Sequence, residues 1–364
     1  MHPSLTPAAL AGLRQPRPYP AVTVLLPTHR REPDNAQDPV RLRNLVAEAK
    51  ERLKTDPAVP REQRIEVAAR LDRALADIDL VHAEDGLAVF AAPGEHQVWS
   101  LARTVPARVV LSDTFLTRNV VAARAAERAY WVLAVSADRV TLWSGSAERI
   151  SEHKADGFPL TRSLEDPDAE RKERIGDLPS TYRDEQTRKF LREADQAAAG
   201  VLRSHPRPVF VTGEAAALSL LDGAGAVTKE ATRVPHGGLA HAPAEAVRQA
   251  LRPLIAARKK AELDSVLHEL DAAQGRHQYA AGLDEVWQNV TTDRVRLLAV
   301  EETYQATVRD DGGHLVPADT DDLDAVDDVV DDIVERALDT GAQVHFVPEG
   351  TLTGRGRIAC ALRY

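Results

Sequence analysis

Residues 329–364, VVDDIVERALDTGAQVHFVPEGTLTGRGRIACALRY, decide the fold of this chain. Apolar residues recur with a helical period in the first part of the stretch, which predicts an amphipathic helix. The apolar runs 344–347 and 358–363 predict two strands, and the glycine-rich segment 350–357 predicts the turn between them. A helix that alternates with strands in this way is typical of an α/β domain.

Helices and strands also alternate upstream of this stretch, back to residue 233. The segment 244–273 predicts one long helix, 283–289 a short helix and 294–300 a strand. Asp311-Gly312-Gly313 is a tight-turn signature between two short strands. Residues 233–364 therefore predict an α-β-α sandwich.

The rest of the chain predicts two further α/β domains, so that the fold class is α/β, with three small α/β domains in series. A length of 364 residues suits two or three domains of about 150 residues each. Residues 1–128 predict a buried strand, two helices, a hairpin, a further strand and a short helix. Residues 129–232 predict a hairpin, a long charged loop over 150–181, a long helix over 182–202 and a further strand.

Composition excludes several classes of protein. The 43% share of hydrophobic residues is that of a globular chain. A single cysteine, Cys360, excludes an internal disulfide and a cysteine-based metal site, and its apolar strand predicts a buried thiol. No apolar run reaches the roughly 20 residues of a membrane helix, and the start lacks a signal-peptide pattern. A cytoplasmic protein without a membrane partner is expected.

The net charge of −10 is concentrated in one segment. Residues 310–339 hold 12 acidic residues and one basic residue, Arg336. A calcium loop that begins at Asp319 or Asp321 would lack the required glycine and glutamate, so the sequence favours a solvated acidic helix face. Residues 14–54 hold nine basic and five acidic residues. Overall acidity therefore does not exclude an RNA partner.

No catalytic or metal motif emerges from the sequence. There is no Gly-x-Ser-x-Gly elbow, and the spacing of His236 and His241 favours linker histidines over a metal site. His153 and Asp156 form a weak candidate acid–base pair. The segment 350–357 lacks the Gly-Lys-Ser/Thr ending of a phosphate loop, so a turn is favoured over phosphate binding. We expect no cofactor and no metal.

The charged loop 150–181 and the residues after it are the most suggestive feature. Residues 162–192 hold eight basic and eight acidic residues. Two interpretations stay open: a disordered, charge-balanced surface loop, and an RNA-probing loop whose arginines contact phosphates or unpaired bases.

The third domain resembles the C-terminal domain of archaeal and eukaryotic class-I release factors and of Pelota. The resemblance lies in residues 335–344 and in Ile358-Ala359 followed by Ala361-Leu362-Arg363-Tyr364. HGGLAHAPAEAVRQALRPLIAARKKAELDSVLHEL and YAAGLDEVWQNVTTDRVRLLAVEE are similar to other stretches of that domain. TVLLPTHRR, VRLRNLVAEAKERL and GLAVFAAPG resemble the bacterial branch of the superfamily. The resemblance covers essentially the whole chain and implies a three-domain, tRNA-shaped protein that enters the ribosomal A site.

Departures from the family pattern indicate how the protein acts. The Gly-Gly-Gln triplet, which in release factors helps water attack peptidyl-tRNA, is absent, and the stop-codon-reading Asn-Ile-Lys-Ser motif is absent too. His236-Gly237-Gly238-Leu239 lies after the middle domain and lacks the glutamine. The resemblance therefore implies a non-enzymatic factor that binds the ribosome through rRNA in the A site, in rescue or hibernation, with a translational GTPase as a further partner and no role for DNA.

Basic side chains in two segments are the candidate contacts with ribosomal RNA. Those near the first strand are His29, Arg30, Arg31, Arg41 and Arg43; those in and after the loop are Arg162, Arg171, Lys172, Arg174, Arg183, Arg188 and Lys189. Two alternatives remain. One is an RNA-directed hydrolase, a nuclease or a peptidyl-tRNA hydrolase; the other is a protein-interaction scaffold that uses the acidic helix.

Overall fold

The computed structural model describes most of the chain. The described residues are 7–30, 32–126, 129–146, 149–163, 179–223, 231–234, 236–319, 322 and 325–364. They form two compact units, Met1–Ala126 with Glu262–Tyr364, and Glu127–Ala261. Several sheets and helices confirm the predicted α/β class. None of the described helices combines the length and apolar character needed to cross a membrane.

The amino-terminal part of the first unit contains a four-stranded sheet. Its strand order is β3-β2-β1-β4, and every neighbouring pair is antiparallel. The elements are α1 (Pro7–Leu13), β1 (Ala21–Pro27), α2 (Asp38–Thr55), α3 (Arg61–Ala76), β2 (Gly86–Ala92), β3 (Glu95–Leu101), β4 (Arg108–Ser112) and α4 (Arg118–Ala126).

Both faces of this sheet are buried, which explains the continuous apolar run of β1. Successive side chains of a strand point to opposite faces. Val22 and Val24 pack against α2 and α3, whereas Leu25 packs with Phe115 and the apolar residues of α4. The predicted strands, hairpin and helices of residues 19–128 are confirmed to within a few residues at their ends.

The carboxyl-terminal part of the first unit is the predicted α-β-α sandwich. Its sheet has the order β11-β16-β12-β15, with β12 parallel to β15 and antiparallel to β16. Helices α8 and α9 cover one face, and the carboxyl-terminal half of α7 covers the other. The elements are α7 (Ala244–Gly275), β11 (Tyr279–Ala281), α8 (Leu283–Thr291), β12 (Val295–Glu301), the hairpin β13 (Val308–Asp311) and β14 (His314–Pro317), α9 (Val329–Asp339), β15 (Gln343–Val347) and β16 (Ile358–Leu362).

The prediction that the acidic residues form a solvated helix face is wrong for α9. Helix α9 begins at Val329, and Val326 before it forms an isolated bridge with Val308 instead of continuing the helix. Asp331 and Glu335 are buried, although they lie on this helix. Periodicity identifies the apolar face of a helix, but it does not reveal that a neighbouring element offers hydrogen-bond donors to the acidic residues.

The second unit contains a five-strand path, β10-β9-β5-β6-β7, with β8 paired to β6. Helices α5 and α6 pack on one face, and the amino-terminal half of α7 packs on the other. The elements are β5 (Tyr130–Val135), β6 (Arg139–Ser146), β7 (Arg149–Glu152), β8 (Leu160–Thr161), α5 (Pro179–Ser204), β9 (Val209–Gly213), α6 (Ala215–Asp222) and β10 (Thr232–Val234).

The limits of the predicted loop 150–181 are wrong at both ends. Strands β7 and β8 lie inside it, and α5 begins at Pro179. Both strands are short and pair with β6, so their sequence alone carries too little periodicity to reveal them. Residues 164–178 lie outside the described residues.

Residues 233–261, which the sequence analysis assigns to the third domain, group with the second unit. Val247 and Leu251 of α7 are fully buried in one apolar cluster with Val132 of β5. The division of the chain into three domains stays a prediction.

Candidate nucleic-acid interface

The first candidate cluster lies where β1 ends and α2 begins. The loop after β1 is anchored by Thr28, whose hydroxyl donates to the Glu84 carbonyl at 2.9 Å. Asp38, the first residue of α2, is 2% exposed. Its carboxylate accepts hydrogen bonds from the His29 backbone N–H at 2.7 Å and from an Arg41 Nη at 3.4 Å, and it lies 3.0 Å from His29 Nδ1. Asp38 therefore holds His29 and Arg41 together.

Arg30 extends the same cluster. Its guanidinium donates to Asp85 at 2.6 Å, and the side chain is 35% exposed. Arg41 and His29 are 44% and 38% exposed, so all three side chains reach solvent while an acidic partner positions them. Each arginine has five N–H donors, more than these ion pairs use, and can therefore also contact a phosphate.

Arg43, a further predicted residue of the first segment, does not join this cluster. Arg43 donates to the Pro39 carbonyl at 3.1 Å. It follows Arg41 by two residues, about 200° around the helix, and so faces another direction. Arg31 lies outside the described residues.

The predicted residues of the second segment have different roles. Arg162 donates to the Ala137 carbonyl at 2.6 Å and to the Thr187 hydroxyl at 2.7 Å, so it ties a turn to α5. Arg188 and Lys189 are exposed on α5, and Arg188 pairs with Glu185 at 3.4 Å. Arg171, Lys172, Arg174 and the side chain of Arg183 lie outside the described set.

A serine, an aspartate and a histidine meet in the second unit, which the sequence analysis missed because 103 residues separate Asp138 from His241. His241 Nε2 lies 3.4 Å from Ser136 Oγ and 3.1 Å from Asp138 Oδ1. A catalytic triad places the acid and the serine on opposite ring nitrogens, whereas here both lie at the same one. The Ser136 hydroxyl bonds to Asp138 and lowers the pKa of that carboxyl, with His241 lowering it further. The three side chains therefore form polar contacts at the turn between β5 and β6 and do not form a catalytic triad.

The candidate acid–base pair of the hydrolase alternative does form. His153 Nε2 lies 2.9 Å from Asp156 Oδ2, and the His153 ring packs edge-on against Trp131. Asp156 is 62% exposed, and the two residues are three apart in sequence. This geometry is that of a local surface ion pair, which stabilises a turn only weakly.

The other motifs have structural roles. His241 faces Asp138, whereas the His236 carbonyl accepts from the Thr212 hydroxyl, so the two histidines have different partners. Over the part of the chain that the structure describes, no three His, Cys, Asp or Glu side chains are arranged to hold a metal. Cys360 is fully buried, and burial raises its pKa to about 12, which confirms the predicted buried thiol.

A buried acidic cluster joins the two parts of the first unit. It consists of Asp328, Asp331 and Glu335. Asp331 accepts hydrogen bonds from the backbone N–H groups of Thr117 and Arg118, at the start of α4. Burial raises the pKa of Asp331 well above 3.8, and the neighbouring carboxylates raise it further.

Arginines and a hydroxyl complete this cluster. The Arg118 and Arg108 guanidiniums lie 3.1 Å and 3.0 Å from Asp328 Oδ2. The Thr117 hydroxyl donates to Glu335 at 2.6 Å. Burial raises the pKa of Glu335 to about 7 despite this hydrogen bond. The cluster is enclosed within the unit, so its carboxylates support the fold instead of forming a solvated docking face.

The fold and the surface clusters define a mixed α/β protein whose candidate site is a set of basic side chains. Residues 129–294 match the model of Bacterial archaeo-eukaryotic release factor family 3. The match spans 166 of 364 residues (294 − 129 + 1). Over these residues the chain is therefore similar to the bacterial branch of the archaeal and eukaryotic release-factor proteins, as the sequence predicts. No curated protein sequence matches the chain.

The solved structures that the chain is similar to include several archaeal proteins. An archaeal translation termination factor, aRF1, is 18% identical; the alignment covers 98% of this chain and 96% of that chain, with a TM-score of 0.26. Pelota of Archaeoglobus fulgidus is 15% identical, with 76% and 79% covered and a TM-score of 0.33. A structure described as ribosome-bound archaeal Pelota and ABCE1 is 13% identical, with 75% and 73% covered and a TM-score of 0.41.

Proposed function

We propose that the protein is a translation factor that binds the ribosomal A site and acts by occupying it, in ribosome rescue or hibernation. The observation that carries the proposal is the match of residues 129–294 to a release-factor family. The missing Gly-Gly-Gln triplet supports occupancy over peptide release, because no glutamine is offered to position the attacking water.

Two surfaces are the proposed contacts with ribosomal RNA. His29, Arg30 and Arg41 would approach the decoding centre, since they are exposed and yet held by Asp38 and Asp85. Side chains positioned in this way lose less conformational entropy when they bind phosphates. Arg188 and Lys189, exposed on α5, would approach the peptidyl-transfer region.

The remaining candidate residues are not part of the two surfaces proposed above. Arg43 is exposed on another side of α2, and Arg162 has its guanidinium engaged within the protein. Arg31, Arg171, Lys172, Arg174 and Arg183 keep the role that the sequence analysis gives them. A translational GTPase is the proposed partner of the carboxyl-terminal sandwich.

The deciding experiment is sedimentation of the full-length protein with purified 70S ribosomes at several salt concentrations. Binding that weakens as salt rises supports the proposal, because phosphate contacts release counterions. Absence from the 70S fraction, both with purified ribosomes and in extracts of starved cells, would contradict it.

The full-length protein is also tested for hydrolysis of peptidyl-tRNA. Turnover of peptidyl-tRNA that is lost in His153→Ala would replace the proposal with the hydrolase alternative. A matched control is His82→Ala, because His82 also pairs with an aspartate three residues away and is exposed.

A further inference from the structure

The amino-terminal half of α7 has a charge pattern that no part of the proposed function uses. Residues 246–261, AVRQALRPLIAARKKA, contain five basic residues and no acidic residue. This composition stands out in a chain whose net charge is −10. A basic stripe along one helix is the electrostatic footprint of a nucleic-acid contact.

The basic side chains of this segment are exposed. Arg252, Arg258, Lys259 and Lys260 all lie at the surface, and every residue from 256 to 261 is exposed although the helix continues to Gly275. The six side chains of this helical stretch are exposed on every side of the helix, so the stretch contributes little to the apolar core. Its sequence is therefore free to serve a contact outside the chain.

Three of these side chains form one continuous basic surface. Arg252 and Lys259 are seven residues apart and share a helix face, and Lys260 lies about 80° around the helix from Arg252, so it widens the basic surface on one side. No ion pair or hydrogen bond holds the Arg252, Lys259 or Lys260 side chain to another described residue. By contrast, Arg248 on the same face pairs with Glu245 at 2.6 Å. From Arg252 to Lys260 the helix rises about 12 Å, enough to follow several phosphates of one strand.

The surface lacks the apolar residues that other partners require. The exposed uncharged residues from 252 to 261 are Pro253, Ala256, Ala257 and Ala261, none of which has a large apolar side chain, and Leu254 and Ile255 are partly buried against the core of the second unit. A membrane-surface helix needs an exposed apolar face, and a protein interface needs a buried apolar centre. A surface with positive charge and no apolar anchor fits a phosphate backbone.

We infer that Arg252, Lys259 and Lys260 form a contact site for an RNA phosphate backbone. The inference rests on the proposed function in one respect, that ribosomal RNA is the RNA that is bound. It adds a third contact, on α7, to the two surfaces proposed above.

The test compares full-length Arg252→Gln/Lys259→Gln/Lys260→Gln with Arg61→Gln/Arg73→Gln/Arg203→Gln. Both variants lose three exposed positive charges, and the second variant loses them away from α7. Dissociation constants are measured for 70S ribosomes and for protein-free 23S rRNA between 50 and 200 mM salt. The slope of log affinity against log salt is expected to be smaller in magnitude by about 2 in the α7 variant than in the wild type. Between 50 and 200 mM salt, the affinity of the wild type should therefore fall by a factor about 15 times larger than that of the α7 variant.

The outcomes separate this inference from the proposed function. Equal affinity and salt slope in the two variants would overturn the α7 site. Wild-type protein that binds 23S rRNA through α7 but does not bind 70S ribosomes would overturn the ribosome proposal and leave this inference standing. An effect of the α7 substitutions seen only with phosphatidylserine vesicles or polyglutamate, with RNA binding unchanged, would overturn the assignment to RNA.

Discussion

The backbone N–H of Arg118 donates to the Asp331 carboxylate at 2.6 Å, although the two residues lie 213 positions apart in sequence. Asp331 thereby caps the first turn of α4 with a side chain from the far end of the chain. Such a cap satisfies backbone donors that the helix itself cannot pair. The amino-terminal sheet and the carboxyl-terminal sandwich are joined in this way within one compact unit.

Replacing Asp328 with alanine is expected to destabilise the first unit strongly. Its carboxylate is buried and is paired with Arg108 and Arg118, of which Arg118 is 2% exposed. Removal leaves the two guanidiniums with backbone carbonyl partners but without the carboxylate that neutralises them, and loss of one partner of a buried ion pair costs about 3–5 kcal/mol. Urea unfolding of Asp328→Ala measures the loss in the free energy of unfolding.

The ion pair of Arg14 and Asp339, in which the carboxylate is exposed, provides the control. Asp339 is 63% exposed, so Asp339→Asn is expected to cost less than about 1 kcal/mol. A similar loss in Asp328→Ala and Asp339→Asn would contradict the role of the buried pair.

Glu335 makes the stability of the first unit depend on pH. Burial raises its pKa from 4.5 to about 7. Between these values the native protein binds more protons than the unfolded chain, so the free energy of unfolding falls as pH rises and then levels off above about 7. The difference of about 2.5 between the pKa values (7 − 4.5) corresponds to about 3 kcal/mol.

Glu335→Gln is expected to reduce this decline, since the amide still accepts from the Thr117 hydroxyl but does not titrate. Asp331 and Asp332 retain part of the slope in both proteins, because burial raises the pKa of Asp332 to about 6 and that of Asp331 well above 3.8. Denaturation at a series of pH values from about 5 to 8 measures the effect. Glu62→Gln, on the exposed start of α3, serves as a control, and equal slopes in the wild type and Glu335→Gln would refute the prediction.

Arg30→Gln/Arg41→Gln is expected to weaken ribosome binding about tenfold at 100 mM salt and to lower the salt slope by about 1.5. Both arginines are partly exposed; Arg30 follows β1 and Arg41 lies in the first turn of α2. Arg61→Gln/Arg73→Gln carries the same change of charge on the exposed side of α3. Binding measured by sedimentation should fall in the first variant alone; a parallel fall in both would point to a general charge effect.

The Cys360 thiol is expected to be unreactive in the native protein. It is fully buried in β16, and burial raises its pKa to about 12, so little thiolate forms at neutral pH. A disulfide reagent should therefore label the thiol only after denaturation. Rapid labelling of the folded protein would show that β16 opens locally.

The sequence predicts those elements whose signals are local. Residues 61–76 are identified as a helix with its observed ends, and Pro93-Gly94 marks the turn between β2 and β3. In both cases, periodicity or turn chemistry within a few residues carries the information.

Contacts between distant residues could not be predicted in this way. The acidic residues of α9 look like a solvated face until Thr117 and Arg118 are placed against them. Asp38 likewise gives no sign in sequence that it positions His29 and Arg41. The exposed charges of α7 could not be predicted either, because a sequence does not reveal that six successive residues within a helix are all exposed.

Helix α4 receives its cap from Asp331 only late in the synthesis of the chain. Residues 1–126 emerge from the translating ribosome more than 200 residues before the aspartate that completes their helix. While the intervening segment 127–261 is synthesised, the nascent amino-terminal part therefore lacks the carboxylates that pair with the first backbone donors of α4 and with the cation of Arg118. Contacts of such long sequence separation slow folding and leave the early segment open to chaperones and proteases until translation ends.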